Sequence, residues 1–206
     1  MKIEKIELKH LSPYLPYGLN CKSQGFESEI YKTTGISKEY VDLIWIYLEN
    51  VKNQASQYSA VIEDVYPILR PLSDLTKEIE HNGEKFVPLK KLHELLETNF
   101  FCEIKYLKRI FVDNVISIEH FIPKHEKKGN DCFILKYKVE TSNMGNLIYS
   151  LTYSQSLRRF IIRDETNSRP LGHAYHYDLF QKLFEYHIDI FGLIENNLAI
   201  DKNTLK

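Results

Sequence analysis

YDLFQKLFEYHIDIFGLIENNLAID, residues 177–201, carries the most regular pattern in the chain. Leu179, Phe180, Leu183, Phe184, Ile190, Phe191 and Ile194 recur at the three- and four-residue spacing of a helix. Asp178, Gln181, Lys182, Glu185 and Asp189 fall on the other side. The spacing predicts an amphipathic helix over Asp178–Phe191. Asp178 caps its start, with Gln181 three residues on reaching back to the cap amide, and Gly192 ends it in the left-handed conformation. A helix with one apolar stripe needs an apolar layer to lie on, so the rest of the chain must supply that layer.

Upstream, the layer reads as sheet. Val115–Ile122, Cys132–Glu140, Asn146–Ser154 and Leu157–Asp164 are rich in β-branched and aromatic residues, and polar breaks divide them. That is the pattern of an antiparallel meander. PKHEKKGND at 123–131 is its charged loop, and Ser154–Ser156 joins the last two strands. Before it stand two short helices. Leu72–Ile79 has Ser73 as N-cap and Leu72, Leu75 and Ile79 facing inward. Pro88–Thr98 has Pro88 at its first position and a stripe of Leu89, Leu92, Leu95 and Leu96. Asn82-Gly83 between them signals a turn.

In the first part of the chain, Phe26–Tyr31 and Ala60–Leu69 read as extended, and Tyr40–Leu48 as a strand because Val, Ile, Trp and Tyr suit a pleated surface. Asn50–Ser59 is polar and loop-like. In SPYLPYGL (12–19), Pro13 and Pro16 forbid a regular helix or central strand. It reads as a rigid, extended surface segment carrying Tyr14 and Tyr17, strapped across the chain's own core rather than docked in a partner's groove, the alternative such a segment also allows. The expectation is one α+β unit, mainly antiparallel sheet with two short helices in the first half and the C-terminal helix packed on it. If the chain divides into lobes, the division falls near residue 100.

Composition excludes more than it assigns. The 206 residues are 43% apolar and 27% charged, an ordinary globular balance, and a net charge of −1 gives no global pull toward nucleic acid or acidic membranes. MKIEKIELKH at the start lacks the apolar core of a signal peptide, and no window approaches a membrane span, so a cytoplasmic protein is expected. Cys21, Cys102 and Cys132 are scattered and odd in number, as expected of inert thiols in a reducing compartment. Neither G-x-x-x-x-G-K-[ST], G-x-G-x-x-G, G-x-S-x-G nor H-E-x-x-H occurs. His173 and His176 read as histidines at a helix entrance, and His187 as a hydrogen-bonded histidine at the core margin. Glu185 and Asp189, four apart on one helix face, read as a solvated face. No catalytic residue, metal ligand or cofactor is assigned.

One section departs in charge. Residues 101–170 carry a balance of +4, against −3 for 1–100 and −2 for 171–206. Lys105, Lys108 and Arg109, the loop Lys124–Lys128, and Arg158, Arg159 and Arg163 lie in it, interleaved with Tyr106, Phe111, Tyr153 and Phe160. A basic β-ribbon with exposed rings is one way to follow a phosphate backbone. A sheet whose outer face happens to be basic is the other reading.

SPYLPYGL (12–19), ILRPLSDL (68–75), GEKFVPL (83–89) and LFEYHIDIFGLIENNLAID (183–201) together resemble a family of uncharacterised bacterial phage and prophage proteins. The resemblance implies a protein expressed from a mobile element inside a bacterial cell, and carries over no functional residue. With no catalytic constellation and with Tyr- and Pro-rich segments, the sequence points to a non-enzymatic module binding a host or phage protein. A nucleic-acid-binding protein using Lys105, Lys108, Arg109, Arg158, Arg159 and Arg163 stays open. So does an enzyme whose site assembles only in the fold.

Overall fold

The computed structural model describes residues 3–25, 28–39, 43–54, 56–92, 94–95, 115–121, 132–141, 145–154, 157–164, 169–172 and 176–205. The fold is α+β and mainly antiparallel. The first strands are β1 (Asn20–Ser23), β2 (Tyr31–Glu39), β3 (Leu43–Asn50), β4 (Gln57–Val61) and β5 (Val65–Leu69). A hairpin of β6 (Ile79–His81) and β7 (Glu84–Phe86) follows. Then come β8 (Val115–Phe121), β9 (Cys132–Thr141), β10 (Gly145–Ser154), β11 (Arg159–Asp164) and β12 (Arg169–Gly172), with β13 (Ile200–Asp201) last. The helices are α1 (Leu8–Leu11), α2 (helical at 88–92 and 94–95) and α3 (His176–Glu185). The chain divides into two compact units, Met1–Leu72 with Gln181–Lys206, and Ser73–Phe180.

The first unit is built on a sheet of order β13-β5-β1-β2-β3-β4, in which only the β13–β5 pair is parallel. Its core gathers Leu11, Tyr14, Leu19, Cys21, Ile46, Leu48, Leu69 and Leu193. The SPYLPYGL segment does cross that core, but it is neither extended nor wholly superficial. Leu15–Tyr17 forms a 3-10 turn, closed by Gly18 at φ 68°. Tyr14 just before it is fully buried. The reason is the partner its hydroxyl finds: it donates to the Ile188 carbonyl at 2.7 Å, so the ring is buried without orphaning the polar end. In the same stretch β2 starts only at Tyr31, later than the run Phe26–Tyr31, whose residues 26–27 lie outside the described residues. β4 begins inside the expected loop Asn50–Ser59, because Gln57 and Tyr58 pair with Glu49 and Leu48.

The C-terminal helix is shorter than its periodicity. It spans His176–Glu185 rather than Asp178–Phe191, so Asp178 lies in the first turn and not at the cap. His187 takes φ 57° and ends the helical run, five residues before Gly192. The backbone beyond is claimed by another partner. Arg70 N donates to the His187 carbonyl, and Asp189 N donates to the Arg70 carbonyl, both at 2.8 Å. Ile190, Phe191 and Ile194 keep their apolar positions through a turn rather than through a helix.

The second unit holds the meander, order β12-β11-β10-β9-β8, antiparallel throughout. Its strands fall within a few residues of the sequence pattern, since alternation and turn residues agree there. Tyr153 and Phe160, paired across β10 and β11, are buried and meet the Phe180 ring at 6.1 and 5.4 Å, so the helix does pack on sheet. Leu72–Ile79 does not form one helix. Leu72–Thr76 is a 3-10 turn, and Ile79 is drawn into strand pairing with Phe86. Asn82 and Gly83, at φ 52° and 81°, supply the two left-handed positions that such a hairpin turn requires.

Candidate functional site

Three surface features carry chemistry, and the first is the outer face of β2–β4. Along β3 the side chains alternate. Ile46 and Leu48 are fully buried, whereas Leu43 is 48% and Tyr47 40% exposed, with Trp45 half-buried between them. Trp45 pairs with Ser37 and Val61, and Tyr47 with Gly35 and Ser59. Small neighbours therefore leave the Tyr47 ring exposed above the sheet, while Trp45, beside Val61, stays half-buried. A Cβ at Gly35 would lie 3.3 Å from Tyr47 Cδ2, a tight contact, so a side chain there would press on the ring. The Tyr47 hydroxyl donates to Ser37 Oγ at 3.0 Å, which holds the ring along the face. Apolar rings at the centre with small polar groups at the rim is the anatomy of a protein-docking patch. The alternation in 43–48 was visible in the sequence, but both faces of the strand are apolar, so nothing in it said which one meets water.

The second feature is the β10–β11 hairpin. Arg158, Arg159 and Arg163 are all exposed, and Leu157 at the tip is 57% exposed. Arg158 takes φ 44° at the turn. Arg159 and Arg163 alternate with the buried Phe160 and stand opposite Ser154 and Ser150. The register continues from Ser150 to the backbone position of Lys136 on β9. The structure thus brings three of the six predicted basic residues onto one hairpin. Lys105, Lys108 and Arg109 lie outside the described residues.

The third feature, which sequence reasoning missed, is a polar hollow of about 270 Å³ where β2 begins and β3 ends, lined by Glu29, Asn50, Lys52, Asn53 and Ser56 among others. One oxygen of Glu29 accepts from the Tyr31 hydroxyl at 2.8 Å and also from the Asn50 side-chain amide. Asn50 Oδ1 in turn accepts from the backbone amides of Lys52 and Asn53 at 2.8 and 3.0 Å, and so shapes the loop. Tyr31 and Asn50 are buried, and burial first, then Glu29, pushes the Tyr31 phenol up to about 12. Residues 29, 31 and 50 meet only because Tyr31 pairs with Asn50, a register no local pattern reveals.

Other reactive groups among the described residues have structural work. Cys21 is buried, with its thiol 3.6 Å from the Tyr31 carbonyl, and burial pushes it up to about 12, so it stays a neutral thiol. His187 sits at the core margin as expected, its Nε2 3.2 Å from the Tyr17 carbonyl. Asp189 overturns the expected solvated face: it is buried, off the helix, and accepts from the amides of Gly192, Leu193 and Ile194. Glu185 pairs instead with Lys182 at 2.7 Å. His173 lies outside the described residues, and no cluster of three or more metal-ligating groups occurs among the described ones. Among the described residues no helix is long and apolar enough to cross a membrane. Comparison of the chain with protein-family models, with curated proteins and with solved structures returns no match.

Proposed function

We propose that the chain is a non-enzymatic binding module of phage or prophage type, working inside the bacterial cell, that docks a host or phage protein on the outer face of β2–β4. The observation that carries this reading is the stripe Leu43, Trp45 and Tyr47, in which Leu43 and Tyr47 are exposed and the Trp45 ring between them is half-buried. Tryptophan and tyrosine at the centre of a flat face concentrate binding energy at little entropic cost. The Tyr47→Ala and Trp45→Ala variants remove exposed ring surface while Ile46 and Leu48 still fill the core beneath. Each is therefore expected to change stability by under about 1 kcal/mol, yet to weaken a purified complex by about 2 kcal/mol or more, roughly thirtyfold. Titration of the complex by calorimetry beside urea unfolding checks both halves. Equal affinity for wild type and both variants contradicts the reading.

A second reading rests on a separate observation, the exposed Arg158, Arg159 and Arg163 of the β10–β11 hairpin. Arginines there suit a phosphate backbone, and binding of that kind falls steeply with salt. Replacing Arg158 and Arg159 together by alanine is expected to reduce the salt slope of nucleic-acid binding by about 2, one for each phosphate left without its arginine. A gel-shift series over salt that gives the same slope for the variant and wild type argues against this reading.

A further inference from the structure

Glu29 and Lys52 line one hollow with opposite charges. Glu29 is held as a binding carboxylate would be held. Two donors from buried residues, the Tyr31 hydroxyl and the Asn50 amide, occupy the same oxygen. That fixes the carboxylate plane and leaves the second oxygen for a further donor. Lys52 is held at its backbone, since its amide donates to Asn50 Oδ1, and its exposed side chain lines the same hollow. Ser56 and Asn53 add hydroxyl and amide groups to the wall, and Asn53 Nδ2 donates to Ser56 Oγ at 3.1 Å. A wall with one oriented carboxylate, one ammonium and neutral hydrogen-bonding groups complements a ligand that carries both charges.

We infer that this hollow is a binding site for an amino-acid-sized zwitterion, whose ammonium or guanidinium group meets Glu29 and whose carboxylate meets Lys52. The volume, about 270 Å³, is below the usual range for drug-sized ligands and suits a ligand of amino-acid size. Both charged groups are exposed, so each interaction is solvent-screened and the affinity is expected in the millimolar range. The site is independent of the aromatic face of β2–β4 and stands or falls without it.

The test uses free arginine and free lysine as probes, with n-butylammonium and butyrate as single-charge controls, followed by amide NMR shifts of the full chain. Saturable shifts confined to residues 28–30 and 50–56 are expected for the amino acids, with the controls weaker by about fivefold or more. Glu29→Gln keeps an oxygen to accept from Tyr31 and Asn50, so the fold is retained while the charge is lost. That variant and Lys52→Gln should each weaken arginine binding by about fivefold. Glu49→Gln on β3 should leave it unchanged. The inference is overturned if wild type shows no saturable shift, if the shifts centre elsewhere, or if either charge-removing variant binds as well as wild type. Binding of butylammonium as tight as that of arginine also overturns it, because the carboxylate would then contribute nothing.

Discussion

Replacing Tyr14 by alanine is expected to destabilise the first unit by about 4 kcal/mol. The side chain is fully buried, and two losses combine. Its ring packs edge-on against Phe184 at 5.1 Å and Phe191 at 6.3 Å, so alanine leaves a cavity the size of a ring. Its hydroxyl also donates to the Ile188 carbonyl at 2.7 Å, and without it that carbonyl loses a partner beside the point where α3 has just ended. Tyr14→Phe separates the two. It keeps the ring and drops only the hydroxyl, with its donation to Ile188 and the longer bond it accepts from Ile190 N at 3.5 Å, and is expected to cost about 1–2 kcal/mol. Urea unfolding read through the fluorescence of the single tryptophan reports on this unit directly, because Trp45 lies within it. A shift of under about 1 kcal/mol for alanine would mean that the Pro/Tyr segment is not part of the core.

The second large effect belongs to Asp189. Its carboxylate accepts from three amides in succession, Gly192 and Leu193 on one oxygen at 2.9 and 3.0 Å, and Ile194 on the other at 2.8 Å. Alanine would leave these donors, at least two of them buried, without an acceptor, and a cost of about 3 kcal/mol is expected. Asparagine can serve one oxygen's worth of them and should fall between. The pH dependence has a definite sign. Burial raises the Asp189 carboxyl above its ordinary value, against the lowering effect of the amides. The folded state therefore holds that proton more tightly than the unfolded state does. The stability linked to the proton is complete below the unfolded value of 3.8 and is lost as pH rises through the raised folded value. Measured from pH 4 upward, the stability of wild type relative to Asp189→Asn should decline and then level off. A relative stability that instead rises over that window would reverse the sign.

Both residues show where a sequence stops being readable. The strands of 115–164 were legible because alternation, β-branched content and turn residues all act locally. The helix was legible as an element but not in its end. Ile190, Phe191 and Ile194 satisfy helical spacing, and the first is buried and the others partly so, but the chain turns at His187 because Arg70, more than a hundred residues earlier, offers its backbone to 187 and 189. Periodicity counts which side chains are buried and is blind to what buries them. The same limit hid the candidate sites. Tyr40–Leu48 reads as a strand, but with Ile44, Ile46 and Leu48 apolar beside Trp45 and Tyr47 its sequence does not say which face meets water. Glu29 and Lys52 are more than twenty residues apart, and only the pairing of β2 with β3 sets them around one hollow.

The most direct test of the docking face places a photo-reactive residue at position 43, beside Trp45 and Tyr47, in the full chain expressed in the bacterial cell. Irradiation is expected to join it to one discrete partner protein, and the same adduct should vanish when Tyr47→Ala and Trp45→Ala are added. An adduct that persists in that double variant, or a face that captures no protein at all, would contradict the account.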